Sequence, residues 1–366
     1  MKISFFKVNN NSIDFQSVAS LLAQKTDFIA GEEVKVFEDL FANFSETRFC
    51  VSSSNGLDAI KIALRSLDLP SDGEVIVPAH TYIASIFAII QAGLKPILVD
   101  VDADTFNIDP SLVTNQITNE TKAILPVHLY GHPSDMDNLM AIAKSKNLFI
   151  IEDNAQAHGA EYNGKRTGSY GIVNATSFYP SKNLGALGDA GAITTNDEAL
   201  ARKCKLLRNM GSEEKYIHEI IGYNARMDSI QALFLTKKLK YLDTWNNERI
   251  AIANRYTENL KSAKSIVLPI VRQHCKHVFH LFVILSEQRD ALKNYLDAQG
   301  ITTLMHYPVP NHLQPALQHL SYARGDFPVA EKIAETCLSL PIYPGLQPSE
   351  IDYVCEKILA FEKMIF

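Results

Sequence analysis

Short β-rich runs alternate with longer amphipathic stretches between about residue 48 and residue 153. Five runs have the apolar and β-branched composition of strands, in the order RFCVSS, EVIVPA, KPILVDV, KAILPVHL and LFIIED. Helical patterns occur between them at 56–67, 82–92 and 135–146. Such alternation builds a parallel sheet covered by helices, because each crossover returns the chain to the same edge of the sheet. The pattern therefore predicts an α/β domain.

The pattern changes in the second half of the chain. Two short apolar runs flank a glycine-rich loop in 174–196, and a helix is predicted at 197–210. A continuous helical pattern over 226–262 predicts one long helix that connects two domains. Beyond it, a strand in VFHLFVILS, a helix at 288–299 and two helices around LPIYPG indicate a smaller α+β domain.

Length and composition restrict the class of protein. The 366 residues exceed the usual length of one domain, and we place two packed domains at 14–240 and 241–366. Hydrophobic residues make up 46% and charged residues 21%, which is typical of a globular chain and not of a disordered one. Five widely spaced cysteines without a CxxC pair indicate free thiols rather than disulfides or structural zinc.

Charge and hydropathy narrow the choice of partners. Lys and Arg number 35 against 41 Asp and Glu, a net charge of -6, and no basic run is long enough for a nucleic-acid footprint. No apolar stretch approaches the roughly 20 residues that cross a bilayer. The first residues turn polar after two aromatics rather than opening a signal segment. We therefore expect a cytoplasmic protein with neither nucleic acid nor membrane as a partner.

Ligands of parallel α/β sheets bind at the carboxyl ends of the strands, so the residues after each strand are the first candidates for a site. After the first strand, Ser54 or Asn55 can cap a helix, and Gly56 lets the backbone approach a ligand closely. The free N–H groups at such a helix start bind anions such as phosphate. An ordinary capped helix without a ligand is the alternative interpretation of this segment.

Three further strand ends carry candidate functional side chains. Tyr82 follows the second strand and offers a flat ring for stacking. Asp153 follows Glu152 after an apolar run, where a buried carboxylate needs a cationic or hydrogen-bonding partner. Lys182 precedes a glycine-rich loop, and a lysine near a carboxylate and an anion site suggests Schiff-base chemistry. Packing, capping and solvation are the alternatives for each residue alone, but together they are the parts that pyridoxal phosphate (PLP) requires.

The chain resembles, over nearly its full length, the nucleotide-sugar aminotransferases of the DegT/DnrJ/EryC1/StrS family. The resemblance rests on five segments, SNGLDAI, VPAHTYIAS, IEDNAQAHGA, SFYPSKNLGALGDAGA and GYNARMDSIQA. It implies a fold type I PLP-dependent transferase, similar to aspartate aminotransferase, with a mixed, mostly parallel sheet in the large domain and a small C-terminal α+β domain. It also implies a homodimer whose active sites lie at the subunit interface.

The same resemblance implies roles for single residues. Lys182 matches the catalytic lysine that holds PLP covalently, and Asp153 matches the carboxylate that pairs with the pyridine nitrogen. The other implied cofactor contacts are Tyr82 on the ring, Gln156 near the ring hydroxyl, and Gly56, Leu57, Ser177 and the neighbouring subunit's copy of Asn224 at the phosphate.

One other position departs from the family pattern, and several more have two interpretations. Leu57 stands where many members have Thr, so a phosphate-binding hydroxyl is lost there. Arg226, His306 and Tyr307 are candidate substrate contacts, with loop packing as the alternative for the last two. The sequence does not decide between a functional and a structural role for a further set of histidines, His128, His132, His158, His277 and His280.

The reaction implied by the resemblance is a transamination from L-glutamate to a nucleotide-linked keto sugar. The variants NGLDA, EDxAQAHGA and KNLGALGD are similar to those of members that aminate C-3 of a dTDP-linked 3-keto-6-deoxyhexose, giving dTDP-3-amino-3,6-dideoxyhexose. A 4-aminotransferase acting on a dTDP- or UDP-4-keto-6-deoxyhexose is the alternative. The implied setting is the synthesis of an amino sugar for a surface polysaccharide, such as the O-antigen of lipopolysaccharide, or for a glycosylated metabolite.

Three competing functions are disfavoured by particular residues. Related sugar dehydratases have His in place of the lysine, which Lys182 argues against. A non-catalytic PLP-binding homologue has no evident need for all four of Lys182, Asp153, Gln156 and Ser177. A metal site in RQHCKHVFH is disfavoured because His277 and His280 would point to opposite faces of a strand. We therefore predict an aminotransferase without a bound metal.

Overall fold

The computed structural model describes residues 1–8, 15–23, 28–29 and 31–365. The predicted domain limits at 14 and 366 lie outside these residues. The strands are β1 (Phe49–Ser53), β2 (Glu74–Pro78), β3 (Lys95–Val99), β4 (Thr121–Ile124), β5 (Phe149–Ile150), β6 (Glu161–Tyr162), β7 (Lys165–Arg166), β8 (Val173–Ser177), β9 (Gly191–Thr195), β10 (Cys275–Lys276), β11 (Phe282–Leu285) and β12 (Cys337–Leu340).

The helices of the same described residues surround these strands. They are α1 (Phe15–Ala23), α2 (Glu32–Phe44), α3 (Gly56–Ser66), α4 (Ala84–Gln91), α5 (Pro110–Val113), α6 (Met136–Lys146), α7 (Glu198–Arg208), α8 (Ser229–Leu239), α9 (Leu242–Leu260), α10 (Arg289–Ala298), α11 (Pro328–Thr336) and α12 (Pro348–Ile365). Within the described part of the chain, no helix combines the length and the apolar composition that crossing a membrane requires.

The main sheet is mixed, with β9 running against its neighbours. β2 pairs in parallel with β3 and β4, and β4 pairs in parallel with β5. β9 lies between β1 and β8 and is antiparallel to both. Asp153 connects the two groups of strands through parallel bridges to Val127 and Ala175. The strand order is therefore β3-β2-β4-β5-β8-β9-β1, and the carboxyl ends of the parallel strands share one edge.

The composition of β2 explains why helices cover both faces of this sheet. Successive strand residues point to opposite faces. Val75 and Val77 contribute to the core formed with α3 and α4, whereas Ile76 packs with Met136 and Leu139 from α6. Because both faces are buried, the strand residues after Glu74 form a continuous apolar run rather than an alternating one.

The C-terminal part of the chain has a second core. β11 and β12 pair antiparallel, and α9, α10 and α12 pack around them through residues such as Tyr256, Leu292 and Ile358. Ile3 also belongs to this core and bridges to Ile301, so the first residues of the chain are held there. The division into domains at residue 240 stays a prediction.

Two predicted elements are wrong in their limits. The single helix over 226–262 is two helices, because α8 ends at Leu239 and α9 begins at Leu242. Lys240 keeps a right-handed helical conformation in the short connection, so the apolar periodicity continues across the break. The predicted strand in VFHLFVILS begins only at Phe282, since the residues before it bond to the loop after β4, with the Val278 N–H donating to the Gly131 oxygen at 3.0 Å.

Candidate active site

The predicted strand ends come together at one edge of the sheet. Asp153 forms a parallel bridge with Ala175, two residues before Ser177 at the end of β8. Gly56, the first residue of α3, lies directly against Ser177. The positive charge of Lys182 is close enough to Asp153 to lower the pKa of that carboxyl group. A possible anion site, a carboxylate and an amine therefore share this edge.

Asp153 is a buried carboxylate with two hydrogen bonds. Its side chain is 5% exposed. The Ser85 hydroxyl donates to Oδ2 at 2.7 Å, and the Ala155 N–H donates to Oδ1 at 3.0 Å. Burial raises the pKa of Asp153, while these two hydrogen bonds and the charge of Lys182 act in the opposite direction. The site therefore contains a desolvated carboxylate whose charged form is supported by donors.

Ser85 was missed by the sequence analysis. It lies in the first turn of α4, is 1% exposed, and also contacts the Thr81 hydroxyl at 3.2 Å. Its position three residues after Tyr82, one helical turn away, was the available signal. That signal is weak, because serine is also common near helix starts for capping alone.

The amino group of Lys182 has no partner among the described residues. The backbone N–H of this residue donates to the Tyr179 oxygen at 2.8 Å, which holds the turn after β8. For Nζ, the described residues provide neither a hydrogen bond nor an ion pair. Burial lowers the pKa of Lys182 to about 8, although Asp153 acts to raise it. A larger fraction of this amine is therefore unprotonated at neutral pH than in a solvated lysine, as a nucleophilic role requires.

Two histidines beside Lys182 are neutral at physiological pH. Burial, reinforced by the charge of Lys182, lowers the pKa of His158 to about 3 and that of His306 to about 4. His158 Nε2 is 2.8 Å from the Thr176 hydroxyl, and His306 Nδ1 is 2.8 Å from the Ser339 hydroxyl. Both imidazoles therefore have structural contacts, and the loop-packing interpretation accounts for the side chain of His306.

The start of α3 meets the end of β8 at close range. Asn55 caps the helix, since its side chain accepts from the Asp58 N–H at 2.8 Å. A Cβ added to Gly56 would lie 2.6 Å from Ser177 Cβ, closer than two carbons approach without displacement. Leu57 is half-buried and packs against the core. The helix start and the Ser177 hydroxyl therefore form one cradle of the kind that binds anions.

Gln156 lies between the sheet and the proline-rich loop. Its Oε1 accepts from the Tyr130 N–H at 2.8 Å, and its Nε2 donates to the Tyr307 hydroxyl at 3.2 Å. The Tyr307 ring lies 5.5 Å from that of Tyr82, which is 54% exposed. Burial raises the pKa of Tyr307. The structure thus brings Tyr82, Gln156 and Tyr307 together, and Tyr130 is a further contact that the sequence analysis missed.

Asn224 and Arg226 lie beside α3 rather than in the centre of the site. The Ser54 N–H donates to the Ala225 oxygen at 3.1 Å, which places this segment next to the helix start. Asn224 is exposed. Arg226 is half-buried, its Nη1 is 3.5 Å from Asn209 Oδ1, and its Nε has no partner among the described residues. No contact among the described residues joins either side chain to Asp153 or Lys182.

The remaining histidines are divided among separate contacts. His128 Nε2 is 2.9 Å from Glu152, whereas the His277 ring lies 5.3 Å from that of His132. His280 contacts the Asn183 side chain at 3.2 Å. Across residues 1–8, 15–23, 28–29 and 31–365, no three His, Cys, Asp or Glu side chains are grouped to hold a metal ion. His277 and His280 precede β11, so the strand geometry expected for them is wrong, but they still face different neighbours.

The model of the DegT/DnrJ/EryC1/StrS aminotransferase family matches residues 10–359 of the chain. The chain belongs to this family. The predicted family and enzyme class, an aminotransferase, are thereby confirmed. Similarity to solved structures of family members also confirms the predicted fold type I class.

Curated relatives cover most of the chain. It is 47% identical over 320 residues to the dTDP-3-amino-3,4,6-trideoxy-alpha-D-glucose transaminase of Streptomyces venezuelae, covering 87% of this chain and 84% of that protein. It is 46% identical over 345 residues to the dTDP-3-amino-3,6-dideoxy-alpha-D-galactopyranose transaminase of Aneurinibacillus thermoaerophilus, covering 94% of each. It is 44% identical over 350 residues to a pleiotropic regulatory protein of Geobacillus stearothermophilus, covering 95% of this chain and 94% of that protein.

Solved structures of similar proteins share this fold. The crystal structure of S. venezuelae DesV in complex with a ketimine intermediate has a TM-score of 0.96 at 42% identity and covers 99% of both chains. The Bacillus subtilis protein NtdA with bound cofactor PMP has a TM-score of 0.92 at 34% identity, covering 99% of this chain and 85% of that chain.

The residues at the sheet edge fit PLP. Asp153 provides a buried carboxylate, and Lys182 provides an amine without a partner in the described part of the chain. The cradle at Gly56 is open only because this residue has no Cβ. Gln156 uses one N–H on Tyr307, and an amide nitrogen has a second one to donate. In this order, the carboxylate, the amine, the cradle and the amide match the ring nitrogen, the aldehyde, the phosphate and the ring hydroxyl of PLP.

Proposed function

We propose that this protein is a PLP-dependent aminotransferase that converts a dTDP-linked 3-keto-6-deoxyhexose into the dTDP-3-amino-3,6-dideoxyhexose, with L-glutamate as the amino donor. The observation that carries the proposal is the buried Asp153 carboxylate beside Lys182. The pKa of the Lys182 amine is lowered to about 8. The names of two relatives, both transaminases of dTDP-3-amino sugars, support the nucleotide and the position of the amino group.

Lys182 and Asp153 have separate tasks in this reaction. PLP, when bound, carries the amino group and stabilises the negative charge that develops at the reacting carbon. Lys182 Nζ would hold the cofactor covalently, and its amine, when free, would take up and return the proton of the reacting carbon as a general base. The Asp153 carboxylate would pair with the pyridine nitrogen and keep it protonated, and the hydrogen bonds from Ser85 and Ala155 favour the charged carboxylate that this requires.

The other residues of the edge orient the cofactor. The N–H groups at the start of α3 and the Ser177 hydroxyl bind the phosphate, with the backbone at Leu57 taking over where a threonine hydroxyl is lost. Gln156 donates to the ring hydroxyl and is itself fixed by Tyr130 and Tyr307. Tyr82 would stack on the ring, because its side chain is 54% exposed and one of its faces is available.

We also propose that the active protein is a homodimer. Large side chains around the open edge are strongly exposed, among them Tyr82 and Tyr179 at 54% each and Ile221 at 91%. Exposed apolar surface of this kind is typical of an interface. In the dimer, Asn224 of each chain reaches the phosphate of the other, which accounts for its exposed position beside α3. We place this dimer in the cytoplasm, in the synthesis of an amino sugar for a surface polysaccharide such as the O-antigen.

The reverse half reaction tests the substrate directly. Purified, PLP-loaded protein is titrated with dTDP-3-amino-3,6-dideoxyhexose and, separately, with the 4-amino isomer, while the absorption spectrum is recorded. We expect the 3-amino sugar to convert the aldehyde form of the cofactor to the amine form. Conversion by the 4-amino isomer alone would overturn the C-3 assignment and favour the 4-aminotransferase.

A further inference from the structure

The turn that contains Lys182 is not part of a helix or a strand. It lies between β8 and β9, and a glycine-rich loop follows it. The amino group of Lys182 has no partner among the described residues. The direction of this side chain therefore depends on how the backbone on either side of it is held.

Asn183 connects this turn to the C-terminal part of the chain. Its side chain is 6% exposed. Nδ2 donates to Asn246 Oδ1 in α9 at 2.8 Å and to the Val278 oxygen at 3.1 Å, and Oδ1 is 3.2 Å from His280 Nδ1. Both N–H groups and the oxygen of the amide are therefore used, and all three partners lie beyond residue 240.

A second path returns from α9 to the same turn. Asn246 Nδ2 donates to the His158 oxygen at 2.8 Å, and the Leu184 N–H donates to His158 Nδ1 at 3.4 Å. The two residues after Lys182, Asn183 and Leu184, are thus joined through Asn246 and His158 in one ring of hydrogen bonds. Asn246 and His158 are fully buried, so these bonds do not compete with water and hold one arrangement.

The network is uncharged, because its hydrogen bonds fix which histidine nitrogens carry a hydrogen. The Val278 oxygen can only accept, so the Asn183 amide turns its oxygen to His280, and His280 Nδ1 donates. In His158, Nδ1 accepts a backbone N–H, so Nε2 carries the hydrogen. Burial, reinforced by the charge of Lys182, keeps the pKa of both imidazoles well below its ordinary value.

We propose that Asn183 is a positioning residue that fixes the direction from which Lys182 reaches the cofactor. The inference rests on the proposed function, in which Lys182 Nζ bonds to the aldehyde carbon of PLP and water is released. A long side chain can form a bond at one fixed point only if its backbone starts from a fixed place. β8 supplies that place on one side of Lys182, and the anchors of Asn183 in α9 and before β11 supply it on the other.

A second ligand separates positioning from a general loss of structure. Pyridoxamine phosphate (PMP) has the ring and the phosphate of PLP but an amine in place of the aldehyde, so it binds without a bond to Lys182. A damaged site would bind both ligands less tightly, whereas a misdirected lysine would weaken the binding of PLP alone.

The affinities of the cofactor-free protein for PLP and PMP are therefore measured in the wild type and in Asn183→Ala. We expect the affinity for PLP to fall about tenfold and that for PMP to stay within about twofold. Asn107→Ala is the matched control, since this buried amide also donates to two oxygens, of His132 and Pro133, and accepts from the Leu129 N–H. It should change the ratio of the two affinities by less than about twofold.

His280→Phe gives a smaller change and serves where Asn183→Ala does not fold. It keeps a buried ring but removes one of the three anchors of Asn183. The affinity for PLP should fall about threefold, again with PMP within about twofold. Equal losses for the two ligands, or no loss for PLP, would overturn the positioning role.

The reactivity of the Lys182 amine tests the same inference without a cofactor. Cofactor-free protein is labelled with traces of acetic anhydride over a pH series, and mass spectrometry measures the labelled fraction of the peptide that contains Lys182. Burial lowers the pKa of Lys182 to about 8 in the wild type. In Asn183→Ala the labelling midpoint should move to higher pH, because a released turn lets the amine reach water, whereas Asn107→Ala should keep the wild-type midpoint.

These labelling midpoints also keep the two proposals apart. A wild type that does not capture PLP covalently would refute the proposed function, and the midpoints would still decide on Asn183. An unchanged midpoint in Asn183→Ala would overturn the positioning role and leave the proposed function intact.

Discussion

The Asp153 carboxylate is the most consequential single charge of the site, because burial opposes its ionisation and hydrogen bonds support it. Asp153→Asn keeps the shape and removes the charge. We expect cofactor binding to be retained in part and the rate of the half reaction with L-glutamate to fall about 10²- to 10³-fold. Single-turnover absorption measurements provide this rate. Wild-type turnover in the variant would remove Asp153 from the proposed role.

Ser85→Ala tests the same carboxylate with a smaller change. It removes one hydrogen bond to the Asp153 carboxylate and leaves the charge in place. The half reaction should slow by about three- to tenfold, corresponding to the loss of one buried hydrogen bond. Thr81→Val serves as the control, since Thr81 contacts the Ser85 hydroxyl but not Asp153. A larger loss in the Thr81 variant than in Ser85→Ala would contradict this order.

The burial of Lys238 should make the stability of the protein depend on pH. Its folded-state pKa, lowered to about 8, lies below that of an unfolded lysine, so between these values the unfolded chain binds more protons and stability rises with pH. From pH 7.5 to 9.5, the free energy of unfolding of the cofactor-free wild type should rise relative to Lys238→Met by on the order of 1–2 kcal/mol. Urea unfolding at both pH values measures this difference. Parallel pH profiles would refute it.

The close contact between the start of α3 and the end of β8 depends on the glycine at position 56. A Cβ at Gly56 would lie 2.6 Å from Ser177 Cβ, so Gly56→Ala must move the helix start away from the strand end. We expect the affinity of the cofactor-free protein for PLP to fall at least about tenfold, because several phosphate contacts shift together. Titration of the cofactor-free protein with PLP measures the affinity.

The control for Gly56→Ala is another glycine of the same edge. At Gly188 an added Cβ would meet only the flexible end of Gln231, at 3.3 Å. Gly188→Ala should therefore leave PLP affinity within about twofold of the wild type. Equal affinities in both variants would show that the close approach of α3 to Ser177 is not needed for the cradle.

The proposed assembly of two chains belongs to the scale of the whole molecule, and the proposed site would depend on it. In the proposed dimer, each site takes Lys182 from one chain and Asn224 from the other. Lys182→Ala abolishes its own site, and Asn224→Asp repels the phosphate bound by the neighbour. Subunit exchange between the two variants should restore about a quarter of wild-type activity at limiting PLP, because half of the dimers have one intact site.

The same mixing experiment has a clear opposite outcome. If Asn224 serves the site of its own chain, each hybrid dimer contains only damaged sites, and the mixture is no more active than the mean of its components. Sedimentation of the separate variants provides the control, since both must form dimers before the activities are compared.

Local patterns determined the strands of the main sheet, several of the helices and the main candidates of the site. β2 was recognisable because a strand buried on both faces is apolar throughout, and α6 because Asp135 caps it at the predicted start. Lys182 and Asp153 could be chosen because the carboxyl ends of parallel strands meet at one edge whatever the loops do. The family followed from the order of these motifs along the chain.

Only the tertiary structure decided which side chains touch. Ser85, Tyr130 and Tyr307 reach Asp153 and Gln156 from distant parts of the chain, and no local pattern encodes a contact across 151 residues. The late start of β11 and the antiparallel direction of β9 also depend on contacts between distant parts of the chain. Hydrophobic periodicity reports which face of an element is buried, because burial depends on the local repeat, whereas the partner on that face depends on how the whole chain packs.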